Sequence, residues 1–332
     1  MPAERALEDR AWATHPWVLE GTRGVRFGVM PLGLPDWSAA RDFARRVEAM
    51  GFDAIWLPDH PLVGYDAWTM LAGFAEATST LRLGTLVSCV AYRHPVVLAR
   101  SAADVDRISG GRAILGLGTG DMPWEFGQMG LAYPPPRERA VVLEETLRII
   151  RPLLAGRTVD YEGTYLRVKN AELRPLPVQT SGLPIVVAGG GQKTTLRLVA
   201  KYADACNVGA ASWAGGAFTA DAVTQKFEVL RRHCADACRP YESVLRTGLF
   251  GFALAETTAA AREKLDALGS GARNFMENVI LAATPDEALS QIRRAIMLGF
   301  QYLIFTARVS DPESLDLLQA RVLPVLKGKD PN

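Results

Sequence analysis

A strand, a loop, a helix and a glycine recur along most of this 332-residue chain, at roughly the 30-residue spacing of one strand–helix unit. Val25–Met30 (VRFGVM) reads as the first strand, broken by Pro31 and Gly33, and a helix opening near Ser38 stops at Gly51. Asp53–Leu57 (DAIWL) is the second strand and Leu81–Val90 the third. A helix with apolar residues at Val97, Leu98, Ala102, Val105 and Ile108 follows, and Gly110 and Gly111 end it before the fourth strand, Ala113–Leu117. Pro184–Ala188, Ala205–Gly209, Gly248–Ala255 and Tyr302–Thr306 complete the set, each followed by a helical pattern. These strands are apolar at consecutive positions rather than at alternate ones, as in a parallel sheet covered on both faces. Eight of them predict an α/β chain folded as a (β/α)8 TIM barrel, with an open doubly wound sheet of two domains as the alternative.

Two stretches fall outside the rhythm. Residues 1–24 read as a leader segment without chemistry, which leaves a single barrel domain over 25–328. Residues 156–183, rich in Gly, Tyr and Pro, lie between the fourth and fifth strands with no apolar core of their own, so they read as an insertion.

A formal net charge of +1 gives no footprint for nucleic acid or an anionic membrane as partner. The first residues mix both charges and lack the apolar run of a signal peptide, and no stretch approaches the ~20 apolar residues of a membrane helix. Cys89, Cys206, Cys234 and Cys238 form neither a CxxC pair nor a disulfide framework, and Cys234 and Cys238 with His233 lack further ligands for a metal. The expectation is a cytoplasmic protein with no metal.

The chemistry of such a barrel lies at the C-terminal ends of its strands. Those ends carry Pro31 and Gly33, Asp59 and His60, Ser88 and Cys89, Gly118–Asp121, Gly189–Gln192, and Asn207–Gly209. Gly189, Gly190, Gly191 and Gln192 follow a strand and precede a helix, where bare amides favour an anion; the alternative is a plain turn. Gly118, Thr119 and Gly120 also follow a strand but fail the GxGxxG spacing, because position 121 is Asp. They read either as a cofactor contact or as a tight turn. His60 is placed to exchange a proton near neutral pH, or else to bond neighbouring backbone. Asp121 is a candidate acid or a favourable charge in a first helical turn. His94 reads as capping, His15 and His233 as surface. Ser88 lacks a nucleophile-elbow context, which argues against a hydrolase. Trp37, Trp68, Trp124 and Phe126 are candidate walls of a substrate pocket, or core.

The strand ends carry a resemblance. GFDAIWLPDH at 51–60, LRLGTLVS at 81–88, RHPVVLARSAADVDRISGGRAILGLGTG at 93–120, GGGQKTTLRLVAKYADACN at 189–207 and TPDEALSQIRRAIMLGF at 284–300 resemble the luciferase-like monooxygenase superfamily, within it the branch using the deazaflavin coenzyme F420. The resemblance runs from about Val25 to Leu326 and includes the place of the insertion. It implies a bulged third strand with a non-proline cis peptide near Ser88 and Cys89, supporting the cofactor ring. It implies that Asp59 and His60 are the Asp-His pair of deazaflavin-using members, with His60 near the reactive face. Gly118, Thr119 and Gly120 would lie on the ring side and Gly189–Gln192 on the phosphate side. Asp121 stands where the sugar-phosphate dehydrogenase of this family has an acidic glutamate. That enzyme's Trp four residues after the histidine is Gly64 here, which argues against a sugar-phosphate substrate. The resemblance thus implies hydride transfer between F420 and a small-molecule substrate, in a homodimer. The alternatives it leaves are an FMN-dependent monooxygenase fed by a separate cofactor reductase, and a non-catalytic flavin-binding protein.

Overall fold

The computed structural model describes residues 14–209, 216, 219–268 and 280–328. Eight parallel staves close on themselves. In spatial order they are β1 (Arg26–Leu32), β2 (Ala54–Leu57), β3 (Arg82–Thr85) continued by β4 (Ser88–Cys89), β5 (Ala113–Gly118), β8 (Ile185–Ala188), β9 (Ala205–Asn207), β10 (Leu245–Leu254) and β12 (Tyr302–Arg308). The last returns to the first, with Arg26 opposite Tyr302 and Leu32 opposite Arg308, so the TIM barrel is closed and the open-sheet alternative falls. A short strand that the sequence pattern missed, β11 (Ile280–Ala283), runs parallel to the far half of β10.

Alternation along each strand separates two apolar compartments. Phe27, Val29, Ile55, Leu83 and Leu115 face the surrounding helices, whereas Met30, Ala54, Trp56, Ile114, Tyr302 and Ile304 fill the barrel. The interior admits a residue as large as Trp56 because Gly28 and Gly84 face it: a Cβ on either would lie 2.5 Å from its indole.

The bottom of the barrel is closed by residues that the sequence assigned to the leader. Helix α1 (Pro16–Arg23) buries Trp17 and Val18 completely, and Trp17 meets Tyr302 edge-on at 5.5 Å and Trp56 at 6.2 Å. The leader reading therefore does not extend over 14–24, because the Trp17 indole is wholly buried in the same cluster as Trp56 and Tyr302 inside the barrel. Residues 1–13 lie outside the described residues. His15, read as surface, is 5% exposed: its Nδ1 accepts the Trp17 N–H at 3.1 Å, and its Nε2 lies 3.0 Å from the Gly182 carbonyl oxygen. It is the N-cap of α1 and ties that helix to a loop 167 residues away. Beneath it, Arg26 and Arg82 pair with Glu20 and Asp53 at the strand starts.

The helices between staves are α2 (Trp37–Ala49), α3 (Ala67–Ala77), α4 (Pro95–Ser109), α5 (Pro123–Gln128), α6 (Pro136–Leu154), α7 (Thr195–Tyr202), α8 (Ala220–Asp236), α9 (Thr258–Asp266), α10 (Pro285–Met297) and α11 (Pro312–Leu317). His94 caps α4 through its Nδ1, as expected, and Gly110 ends that helix at φ +68°, where a side chain would be strained. The insertion between the fourth and fifth staves is an antiparallel hairpin, β6 (Val159–Glu162) with β7 (Arg167–Ala171). Two buried carboxylates hold it: Glu145 accepts the N–H groups of Thr164, Tyr165 and Leu166, and Asp106 those of Val178 and Gln179. Among the described residues no helix is long and apolar enough to cross a membrane.

Candidate active site

The C-terminal rim is built where strands stop and the backbone is freed. After β2, Pro58 breaks the strand and delivers Asp59 and His60 to the rim. Asp59 is 2% exposed and paired with Arg93, which also reaches the helix-capping Asp66. Burial pushes the Asp59 carboxyl above its ordinary range, against the pull of Arg93. Its Oδ1 is buried with no hydrogen-bond partner among the described residues.

The third stave is interrupted between β3 and β4, as the resemblance implied. The Leu86–Val87 peptide in the gap is cis, immediately before Ser88. Ser88 is fully buried and accepts a hydrogen bond from Trp68 Nε1 at 3.1 Å. Cys89 is buried too, and burial pushes its thiol up to about 12, so it is a neutral wall rather than a nucleophile.

On β5 the glycines answer to this neighbour. A Cβ on Gly118 would strike Val87, and one on Gly120, at φ +80°, would lie 2.8 Å from Cys89 Sγ and from the Phe126 ring. The Arg139 guanidinium lies 4.0 Å over the Tyr133 ring and donates to the carbonyls of Thr119 and Gly120. Asp121 follows, partly exposed. Burial raises its pKa and Glu125 adds to the rise, while His60 and Arg139 oppose it.

The strand-end pattern did not single out Glu125. It lies on α5, has no exposure, accepts from Tyr92 Oη at 2.8 Å and the Leu62 N–H at 3.1 Å, and lies 2.9 Å from His60 Nδ1. Burial raises its pKa, but these bonds outweigh burial and hold it below the usual carboxylate range. Its place in the first turn of a helix just after the β5 strand end was a usable signal; its partners, 65, 63 and 33 residues away, were not.

Across the barrel, after β8, the Gly189–Gln192 loop leads into α7. Gly189 has φ +122° and its N–H donates to the Asn207 carbonyl. Two side chains from one face of α8 hold the loop from behind. Lys226 Nζ donates to the Gly190 carbonyl at 2.8 Å, and His233 Nε2 lies 2.8 Å from the Gln192 carbonyl oxygen. Because a trans peptide points its C=O and N–H oppositely, both bonds turn the N–H groups of Gly191 and Lys193 away from α8. Lys226 is 7% exposed, has no carboxylate partner among the described residues, and burial lowers its pKa. His233, read as surface, is thus a loop support.

Of the four expected pocket walls, three face elsewhere. Trp37 stacks on Phe74 against α3, and its ring fills the space beside Gly73. Trp68 lies under Ser88, and Phe126 is wholly buried between Tyr92 and Tyr133. Trp124, half exposed on α5, is the one left at the rim. Asn207 turns to its neighbour strand, donating to Thr247 Oγ1 at 2.9 Å. Among the described residues no group of three His, Cys, Asp or Glu side chains could hold a metal.

Comparison with known proteins shows what the whole chain is similar to. The chain is 30% identical over 327 residues to an F420-dependent glucose-6-phosphate dehydrogenase of Intrasporangium calvum, covering 86% of this chain and 94% of that one. It is 27% identical over 277 residues to a 4-hydroxyprotoasukamycin monooxygenase of Streptomyces nodosus subsp. asukaensis, covering 80% and 72%. Its fold matches the F420-dependent tetrahydromethanopterin reductase of Methanopyrus kandleri with a TM-score of 0.77 at 21% identity, over 91% of this chain and 99% of that one. The model of the luciferase-like monooxygenase family matches residues 16–314, from the helix that plugs the barrel to the helix after its last strand, and the chain belongs to that family.

Proposed function

We propose that this protein is a coenzyme F420-dependent oxidoreductase, in which a hydride passes between the deazaflavin and a small organic substrate. The observation that carries the reading is His60 at the strand-end rim, its Nδ1 on Glu125 and its Nε2 without a partner among the described residues, beside the Gly118–Gly120 turn that packs against Val87 and Cys89 of the third stave. The residues present fit the cofactor. The amides of Gly191 and Lys193, with the buried Lys226 ammonium behind them, suit an anionic tail.

When bound, the deazaflavin supplies two-electron hydride chemistry. The chain supplies the proton. His60, with Nδ1 on Glu125, has Nε2 to take a proton from a substrate hydroxyl or return it to a carbonyl. Asp121, held toward its neutral form by burial, is a second proton source on the same rim. Val87, Ser88 and Cys89 wall the site without charge, which keeps water from the reacting carbons. The four cysteines are unpaired and three are buried, which supports a reducing, cytoplasmic setting.

A monooxygenase using reduced FMN and oxygen, served by a separate reductase, is the second reading, favoured by the Streptomyces relative. Titration of the purified protein with F420 and FMN, each oxidised and reduced, separates them by fluorescence quenching. Selective binding of F420 is expected. Preference for reduced FMN would move the protein to the oxygen-using reading, and binding of neither would remove both.

A further inference from the structure

We propose that Glu125 is the positioning residue for His60, holding its imidazole in the Nδ1–H tautomer and leaving Nε2 as its working face. The consequence for turnover rests on the proposed role of His60; the tautomer itself does not.

The carboxylate gathers three donors from two loops. His60 and Leu62 belong to the loop after β2, and Tyr92 to the loop after β4, while Glu125 itself sits in the first turn of α5. An ionised carboxylate has no proton to give and can only accept. Three hydrogen bonds to a side chain without exposure favour that ionised form over the neutral one, and the net shift of Glu125 is downward. The Tyr92 phenol cannot relieve it by ionising, because burial and the adjacent carboxylate both push its pKa up. The proton between Glu125 and His60 therefore sits on Nδ1. A neutral imidazole carries one ring proton, so Nε2 presents a lone pair to the site.

Asp121, just before the N-cap of α5, shifts the opposite way. The two carboxylates thus divide the work: Glu125 holds the imidazole as an anion, and Asp121 leans toward the protonated form. The charged and titratable groups set against His60 are Glu125 by contact and Asp121 by charge, with Tyr92 on the same Glu125 carboxylate and Arg139 beside Asp121.

Imidazole nitrogen-15 NMR on the full-length protein, with no cofactor or substrate, tests the tautomer directly, with His60→Asn to identify the resonance among the four histidines. The expected wild-type spectrum shows neutral His60 protonated at Nδ1. Glu125→Gln has only one carbonyl oxygen. It cannot accept from Leu62 on one side and from Nδ1 on the other, so its amide N–H faces one of them and the single tautomer is lost. Tyr92→Phe, which keeps the carboxylate, should keep the tautomer. A wild-type His60 protonated at Nε2 overturns the proposal even if Glu125→Gln does not fold, and so does a Glu125→Gln spectrum unchanged in tautomer. In turnover, kcat/KM should fall in Glu125→Gln and hold in Tyr92→Phe, while both retain F420 binding. Failure of F420 to bind beside an Nδ1–H spectrum would sink the functional reading and leave this one standing.

Discussion

Replacing Trp17 by Ala asks whether α1 is part of the barrel. Trp17 has no exposure, so the substitution removes a whole indole and leaves a hole between Trp56 and Tyr302. Large aromatic to Ala truncations in cores cost about 3–5 kcal/mol. Backbone collapse offers little relief, since His15 and the Arg26, Arg82, Glu20 and Asp53 ion pairs pin the surroundings. Taking about 4 kcal/mol, the shift in melting temperature follows from the unfolding entropy. At about 2.1 cal/mol/K per residue, 332 residues give about 0.7 kcal/mol/K, hence a fall of about 6 °C. Trp17→Phe keeps most of the filling. It loses the indole N–H donated to Asp53 Oδ2 at 3.3 Å, so about 1–2 kcal/mol, or about 2 °C, is expected. Scanning calorimetry at neutral pH reads both. A Trp17→Ala midpoint within about 2 °C of wild type would return α1 to the status of a dispensable leader and refute the plug.

Burial depresses the pKa of His15 below its ordinary 6.5, so the fold keeps it neutral while the unfolded chain takes up a proton. Its contribution is present above pH 6.5 and is lost as pH falls from there toward the folded value; melting temperatures from pH 7.5 to 5.5 should fall less steeply in His15→Asn, which caps without titrating. Lys226→Met removes the cation behind the Gly189–Gln192 loop and should weaken F420 about 10- to 100-fold, as loss of a charge-assisted hydrogen bond does, but leave the affinity for its dephosphorylated form nearly unchanged. Equal losses for both, by fluorescence titration, would move Lys226 from anion binding to mere support. Gly120→Ala combines a positive φ with a Cβ 2.8 Å from Cys89 Sγ and Phe126, so a loss of about 2–4 kcal/mol in denaturant unfolding is expected; a neutral effect would mean that the β5 loop is not constrained as described. The expected homodimer predicts twice the chain mass by light scattering, and a single-chain mass would remove it.

The barrel was legible because its signals are local. Consecutive apolar residues in DAIWL and AILGL, the breaks at Pro58 and Gly110, and the repeat spacing each depend on neighbours in the chain, and strand and helix preferences act over those distances. The Asp-His pair and both glycine loops were legible for the same reason, since strand ends are where a barrel exposes backbone. What the tertiary structure decided was pairing at long range. No local pattern tells that Trp17 fills the barrel between Trp56 and Tyr302, or that His15 bonds Gly182. Nor does one show that Glu125, in a short helix without a strong pattern, meets His60 65 residues away, or that Lys226 reaches Gly190 from the next helix but one. Even Trp37 and Phe126, aromatic and near strand ends, turned away from the rim. Burial of an aromatic ring and the partner of a buried charge are set by which surfaces meet when the barrel closes, and closure is a property of the whole chain.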